Sequence, residues 1–150
     1  DVLFVLAGGG REGIATGFRG RHLGRVPYRD MPEVTASADL SVAPYDRSKL
    51  RSLELGFFWS PLKIFEALAS GVPVITLDLP PLNDIVRGNE EGVFFKENDP
   101  ADLARVIGSL AKDRARREAM GRKARERAPR FSWAAHAAQI ESILEGLQAV

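Results

Sequence analysis

Short apolar runs that end in glycine or proline, each followed by a segment with helical spacing, recur through the first 112 of the chain's 150 residues. Such alternation is the pattern of parallel strands joined by crossover helices. Residues 1–7 are almost continuously apolar and end at Gly8, Gly9 and Gly10, as expected of a strand buried on both faces and its turn. Residues 21–26 give a second, weaker strand. Asp30 with Glu33 three residues later makes a capping box that opens a short helix to about Ala38, and residues 40–44 read as a third strand. Residues 45–60 carry neither period, and a loop of that length in a compact domain is a functional or mobile one. Ser60 as N-cap and Pro61 at the first helical position then open a helix to Ser70, with Leu62, Phe65 and Ala69 on one face and Gly71 as its stop.

Residues 72–76 form the fourth strand, 82–87 one or two helical turns and 93–95 a short strand. Asp99, Pro100 and Asp102 open a helix that buries Leu103, Val106, Ile107 and Leu110. A basic helix over residues 114–128 must end before Pro129. Ser132 caps a last helix whose stripe of Trp133, Ala137, Ile140, Leu144 and Leu147 needs another surface to lie on. The order predicts an α/β fold: a right-handed, doubly wound parallel sheet of Rossmann-like type with extra C-terminal helices, binding its ligand at the carboxyl ends of the strands.

With 21 basic and 20 acidic side chains the net charge is only +1, so no global field recruits nucleic acid or an anionic membrane, and an anion site must be local. The absence of Cys excludes a disulfide framework, a thiolate metal site and a thiol nucleophile. The only two histidines, His22 and His136, are far apart and read as structural. The longest apolar runs are far short of the roughly 18 residues that span a bilayer, and cytoplasmic residence is expected. The chain opens at Asp1 inside a strand, without Met, and reads as a piece of something longer.

One candidate site emerges from the chemistry. Lys63, as the third helical residue after Ser60, sets a cation against the helix dipole, at a cost of roughly 0.3 to 1 kcal/mol unless an anion offsets it. The amides of Leu62 and Lys63 suit a phosphate. Glu66 lies three residues on and shares a face with Lys63, so a phosphate and a polyol could be held side by side. On spacing alone an ordinary surface ion pair is an equal alternative. Residues 8–13 match GxGxxG, but the acid that a dinucleotide fold wants after the next strand is missing, because Asp30 is committed to capping; a turn allowing close backbone approach is preferred. No GxSxG elbow and no DxD or carboxylate cluster is present, so neither serine hydrolysis nor a metal is expected. The arginine-rich residues 114–130 fit a solvated amphipathic helix better than a nucleic-acid patch.

From Leu6 to Leu147 the chain resembles the C-terminal, donor-binding half of GT-B fold retaining glycosyltransferases, the group sharing a "glycosyl transferases group 1" domain. The resemblance is carried by VLAGGG (5–10), HLGRVP (22–27) with Met31 and Pro32, ADLSVAP (38–44), SPLKIFEALASGVPV (60–74), NDIVRG (83–88) with Gly92, and FSW (131–133). It implies that Glu66 is the second Glu of the family's E-x7-E motif and binds the ribose of a UDP- or GDP-sugar. It further implies that residues 60–63 meet the diphosphate and sugar, Val26 and Pro27 line the base, residues 8–10 lie beneath the donor, and Tyr45 borders the pocket. Phe58 occupies the first Glu position of the motif, so sugar recognition must differ from the family pattern, with Glu54, Trp59 or Lys63 contributing.

The resemblance also places the family's phosphate-neutralising Arg and Lys, and an N-terminal acceptor domain, upstream of this chain. The fragment alone is therefore expected to be inactive, and any peripheral membrane association would run through that other half. In the whole enzyme the implied reaction is metal-independent, cofactor-free transfer of a sugar to an acceptor hydroxyl with retention. The alternatives are an inactive interaction module anchored by Phe57, Phe58 and Trp59, and a sugar-nucleotide epimerase of the same architecture.

Overall fold

A computed structural model describes residues 2–9, 19–45 and 60–148. The strands are β1 (Phe4–Ala7), β2 (Gly20–Gly24), β3 (Ser41–Val42), β4 (Val74–Leu77) and β5 (Gly92–Phe95). The helices are α1 (Met31–Ala36), α2 (Leu62–Ser70), α3 (Leu82–Ile85), α4 (Pro100–Lys112), α5 (Arg114–Arg127) and α6 (Trp133–Gln148), with 3-10 turns at Tyr28–Asp30 and Ala128–Phe131. Every strand pair is parallel, as the α/β alternation predicts. The ladders form two sheets, β1-β2 and β3-β4-β5, where one continuous sheet was expected.

The core is built on β4, whose four residues are all buried. Ile75 and Leu77 pack with Ile64 and Leu68 of α2, Leu82 and Val86 around α3, and Val106 and Leu110 of α4. Thr76, buried in the same strand, satisfies its hydroxyl on the Ala43 carbonyl at 3.2 Å, a link across to the end of β3. The apolar run of β1 was expected to be buried on both faces, but Leu3 is 64% exposed and Val5 49%. A strand is covered on both faces only where neighbours and helices flank it, and among the described residues β1 is laddered to β2 alone.

Local signals fare unevenly. Asp99 caps α4 through the Asp102 amide at 2.9 Å, and Asp113 caps α5 through the Arg116 amide at 2.9 Å. The Ser132 hydroxyl takes the Ala135 amide at 3.1 Å, as expected for α6. The capping box at Asp30 does not form: Asp30 makes no side-chain cap and instead lies 3.4 Å from the Arg29 guanidinium, because a 3-10 turn over Tyr28–Asp30 runs directly into α1. Ser60 does not cap α2 either. Pro61 is the N-cap residue, which moves the helix start one residue later than expected.

The buried face of α2 is also not the expected one. Ile64, Ala67 and Leu68 are buried, whereas Leu62 is 57% exposed and Ala69 is exposed. The i, i+3, i+4 spacing of the buried set fits the core face as well as the expected set does, and the docking surface decides between them. That surface includes α5. Gly71, with φ 71°, ends α2 in the left-handed region, and a Cβ on Gly121 of α5 would lie 2.3 Å from the Gly71 carbonyl oxygen.

The basic helix α5 binds carbonyls. Arg125 donates to Ser70 O at 2.9 Å at the end of α2; Arg127 donates to Asp84 O at 2.9 Å and Ile85 O at 3.0 Å at the end of α3. Arg117 donates to Leu110 O at 2.7 Å and Ala111 O at 2.9 Å at the end of α4. Three helix C-termini thus have their orphan carbonyls met by cations from one helix, which the dipole favours. Met120, Gly121 and Ala124 face the core. Fully buried Glu91 accepts from the Arg87 amide at 2.9 Å and from the Arg87 guanidinium, and the Arg127 Nε lies 3.9 Å away. Burial pushes its carboxyl pKa up, but the Arg87 hydrogen bonds and the two guanidinium charges outweigh that and hold it below the ordinary value.

Two consequences are measurable by urea denaturation. Gly121→Ala should lose about 1 to 3 kcal/mol of stability through the forced shift of α2 against α5, while Gly108→Ala on α4, where a Cβ meets open space, should gain up to about 1 kcal/mol. Glu91→Gln should be less stable than wild type by about 1.5 to 3 kcal/mol at pH 7. A depressed folded pKa gives stability that is present above the ordinary Glu value of about 4.3 and lost as pH falls through the folded value, so the gap between the two proteins should narrow below about pH 4.

Candidate functional site

A cavity of about 150 Å³ lies between α1 and α2, lined by Tyr28, Met31, Pro32, Thr35, Glu66, Ala69 and Ser70. Its two walls follow from local sequence. Pro27 precedes the 3-10 turn that presents Tyr28, and its carbonyl accepts the Asp30 amide at 2.9 Å. Gly71 stops α2 just past Ala69 and Ser70. Because α2 turns Ile64, Ala67 and Leu68 inward, its opposite side carries Glu66 to the cavity, half-buried. Among the described residues no salt bridge engages the Glu66 carboxylate, which leaves it an acceptor facing a small, mostly apolar space.

Lys63 does not pair with Glu66. Its ammonium lies 5.3 Å from the centroid of the Tyr45 ring, a cation–π contact, which removes the surface ion pair as the explanation of the Lys63/Glu66 spacing. Tyr45 is half-buried just after β3, and burial pushes its phenol pKa up. At the helix start, the Leu62 amide expected to be free for phosphate donates to Ser60 O at 2.9 Å, and the Ile64 amide to Pro61 O at 2.8 Å. Pro61 is buried, and Ser60, Leu62 and Lys63 are exposed.

The glycine turn stands at the carboxyl end of β1. Gly8 and Gly9 have φ values of 100° and 62°, so both need the conformational freedom of glycine, and a Cβ on either would meet nothing within 4 Å. The turn is tied to β2 by the Gly8 amide on Gly24 O at 2.7 Å and by His22 Nε2, which donates to Gly8 O at 3.0 Å. Gly10 lies outside the described residues, as do Glu54, Phe57, Phe58 and Trp59.

The structure therefore brings Glu66 to a cavity, places Lys63 beside Tyr45 one turn earlier on α2, and sets Gly8 and Gly9 at the end of the first sheet. Val26 and Pro27 do not line the cavity; Tyr28, which follows them, does. Tyr28 was not singled out in the sequence, although an aromatic between Pro27 and the Met31-Pro32 helix start is the one signal that could have done so. Glu91, the other residue missed, carried none: the Arg87/Glu91 spacing resembles any surface i,i+4 pair. Among the described residues no group of three or more His, Asp or Glu could hold a metal, and no helix is long and apolar enough to cross a membrane.

The profile of the glycosyl transferases group 1 family matches residues 19–127, from the start of β2 to the end of α5. The D-inositol 3-phosphate glycosyltransferase of Corynebacterium kroppenstedtii is 34% identical over 126 residues, covering 83% of this chain and 26% of the relative. The sulfoquinovosyl transferase SQD2 of Arabidopsis thaliana is 27% identical over 134 residues, covering 87% of this chain and 24% of the relative. The chain thus spans about a quarter of the length of the curated relatives it matches.

Among solved structures, sucrose-phosphate synthase from Thermosynechococcus elongatus superposes with a TM-score of 0.71 at 26% identity over 89% of this chain and 31% of that one. HepE from Anabaena, in complex with UDP-glucose, gives 0.71 at 19% identity over 95% of this chain and 40% of that one, a likeness of fold. These neighbours are GT-B glycosyltransferases, which agrees with the expected α/β architecture.

The His22 contact makes a direct prediction. Because a carbonyl only accepts, long-range 15N–1H correlation at neutral pH should show His22 protonated at Nε2. A neutral ring protonated at Nδ1 alone would contradict the tie between β2 and the glycine turn.

Proposed function

The chain belongs to the glycosyl transferases group 1 family, and from that premise we propose that it forms the nucleotide-sugar-binding half of a retaining, metal-independent sugar transferase. The observation that carries the reading is the half-buried Glu66 carboxylate, without a salt bridge among the described residues, lining the cavity between α1 and α2. A carboxylate there accepts two hydrogen bonds from a vicinal diol, and the ribose of a nucleoside diphosphate offers one. The relation to a structure solved with UDP-glucose supports a donor of that class.

Lys63 supplies the positive charge at the amino end of α2, where the developing charge of a departing diphosphate would lie. The Leu62 amide is engaged by Ser60 O, so in this reading the anion is held by the Lys63 cation more than by helix-start amides. The sugar would pass to an acceptor hydroxyl with retention at the anomeric carbon, the acceptor being held by a further part of a longer protein. The lack of a DxD motif in the sequence is what favours metal independence in this reading, and chelation tests it.

Isotope-edited NMR titration with UDP and GDP should shift the Glu66 and Lys63 amides, and Glu66→Ala should weaken nucleotide binding at least tenfold with little change in stability. EDTA should leave the affinity unchanged. No spectral response at millimolar nucleotide would contradict a donor site formed by this chain, and an affinity lost to EDTA would contradict metal independence.

A further inference from the structure

Tyr45 stands at the carboxyl end of β3, and the core sets its position. The Ala43 amide donates to Ile75 O at 2.9 Å, and the Ala43 carbonyl accepts the Thr76 hydroxyl at 3.2 Å and the Tyr45 amide at 3.2 Å. The Tyr45 side chain packs, half-buried, against the core cluster. Lys63 comes from a different element, the first turn of α2, whose Ile64, Ala67 and Leu68 are buried in that same core. Two elements seated on one core thus meet where the Lys63 ammonium lies 5.3 Å from the centroid of the Tyr45 ring. In a doubly wound fold the carboxyl ends of the strands are where ligands bind.

Stability does not account for the contact. A cation in the first turn of a helix opposes the helix dipole by an amount of the same order as an exposed cation–π contact returns. The chemistry of the partner has a clearer consequence. A carboxylate holding Lys63 would cancel its charge, whereas an aromatic ring is neutral and holds the ammonium with its charge intact. Burial pushes the Tyr45 phenol pKa up, so the ring itself stays uncharged at neutral pH. An ammonium carries three N–H donors, more than one ring face engages. A lysine already held in place also loses less rotamer freedom when it grips an anion than one that is not.

We propose that Tyr45 is a positioning residue: its ring holds the Lys63 ammonium, still fully charged, at the carboxyl end of β3 for the diphosphate of the donor. The proposal rests on the donor-site reading of Glu66 and Lys63, and goes beyond it by assigning the placement of the cation to a neutral ring on another element.

Calorimetric titration of UDP into wild type, Tyr45→Leu, Tyr45→Phe, Lys63→Met, Glu66→Ala and the double variant Tyr45→Leu/Lys63→Met tests it. Tyr45→Leu should weaken UDP by about two- to fivefold, the range that one cation–π contact supports. Tyr45→Phe, which keeps the ring, should stay within about 1.5-fold of wild type. Starting from Lys63→Met, adding Tyr45→Leu should change the affinity by less than about 1.5-fold, because the contact it removes is already gone. A residue with a merely structural role would weaken binding in both backgrounds. Should Tyr45→Leu misfold, Tyr45→Met takes its place under the same thresholds.

Three results overturn the positioning role and leave the Glu66 donor site standing, provided that Glu66→Ala is still impaired. They are a Tyr45→Leu loss below about twofold, a loss that persists in the Lys63→Met background, and a Tyr45→Phe loss as large as that of Tyr45→Leu. Lys63→Met binding UDP as wild type does overturns it as well, since the cation would then not meet the phosphates. Failure of UDP to bind wild type, or a Glu66→Ala affinity equal to that of wild type, overturns the donor-site reading itself, and the positioning role with it.

Discussion

The seat of α2 against α5 governs everything near Glu66. Two backbones meet there with no side chain between them: the carbonyl of Gly71 lies where a Cβ on Gly121 would have to be, 2.3 Å away. Arg125 closes the same junction by taking the Ser70 carbonyl. With its carboxyl end fixed in this way and Ile64, Ala67 and Leu68 pressed into the core, α2 has one rotational setting, and that setting carries Glu66 to the cavity beside α1. Had α2 buried Leu62, Phe65 and Ala69, as its spacing also permits, the helix would be rotated and Glu66 carried to a different surface.

The same helix α5 spends much of its positive charge inside the fold. Arg117, Arg125 and Arg127 each meet the carboxyl end of a different helix, and Arg127 also faces Glu91 and stacks over the Phe131 ring at 5.5 Å. Cations that neutralise helix dipoles and orphan carbonyls are committed within the fold. The surface stripe of α6 is a contrast: Trp133, Ile140, Leu144 and Leu147 are exposed, as their spacing without a described partner surface implies.

Much of this was legible from residue order. The α/β class, the parallel strands, the Asp99 and Ser132 caps and the glycine stop at Gly71 rest on short-range rules in which one residue type has one local use. The misreadings are cases in which tertiary contacts arbitrate. The Ser60 and Asp30 caps were plausible by type, but neighbouring backbone took their places: Pro61 became the cap of α2, and a 3-10 turn fed α1. The apolar run of β1 reads as buried, yet burial depends on what lies over the strand. Glu66 and Lys63 could be singled out because a cation near a helix start is locally unfavourable and calls for a reason. Tyr28 was not, since an exposed aromatic acquires meaning only beside the cavity it walls.

The central claim is that the α2 carboxylate holds the sugar ring of a nucleotide while the start of that helix faces its phosphates. A crystal structure of the protein with UDP bound is the most direct measurement. It should show both ribose hydroxyls within hydrogen-bond distance of Glu66 and the phosphate oxygens on the Lys63 side of α2. A nucleotide bound elsewhere, or one whose ribose leaves Glu66 without a partner, would contradict the account.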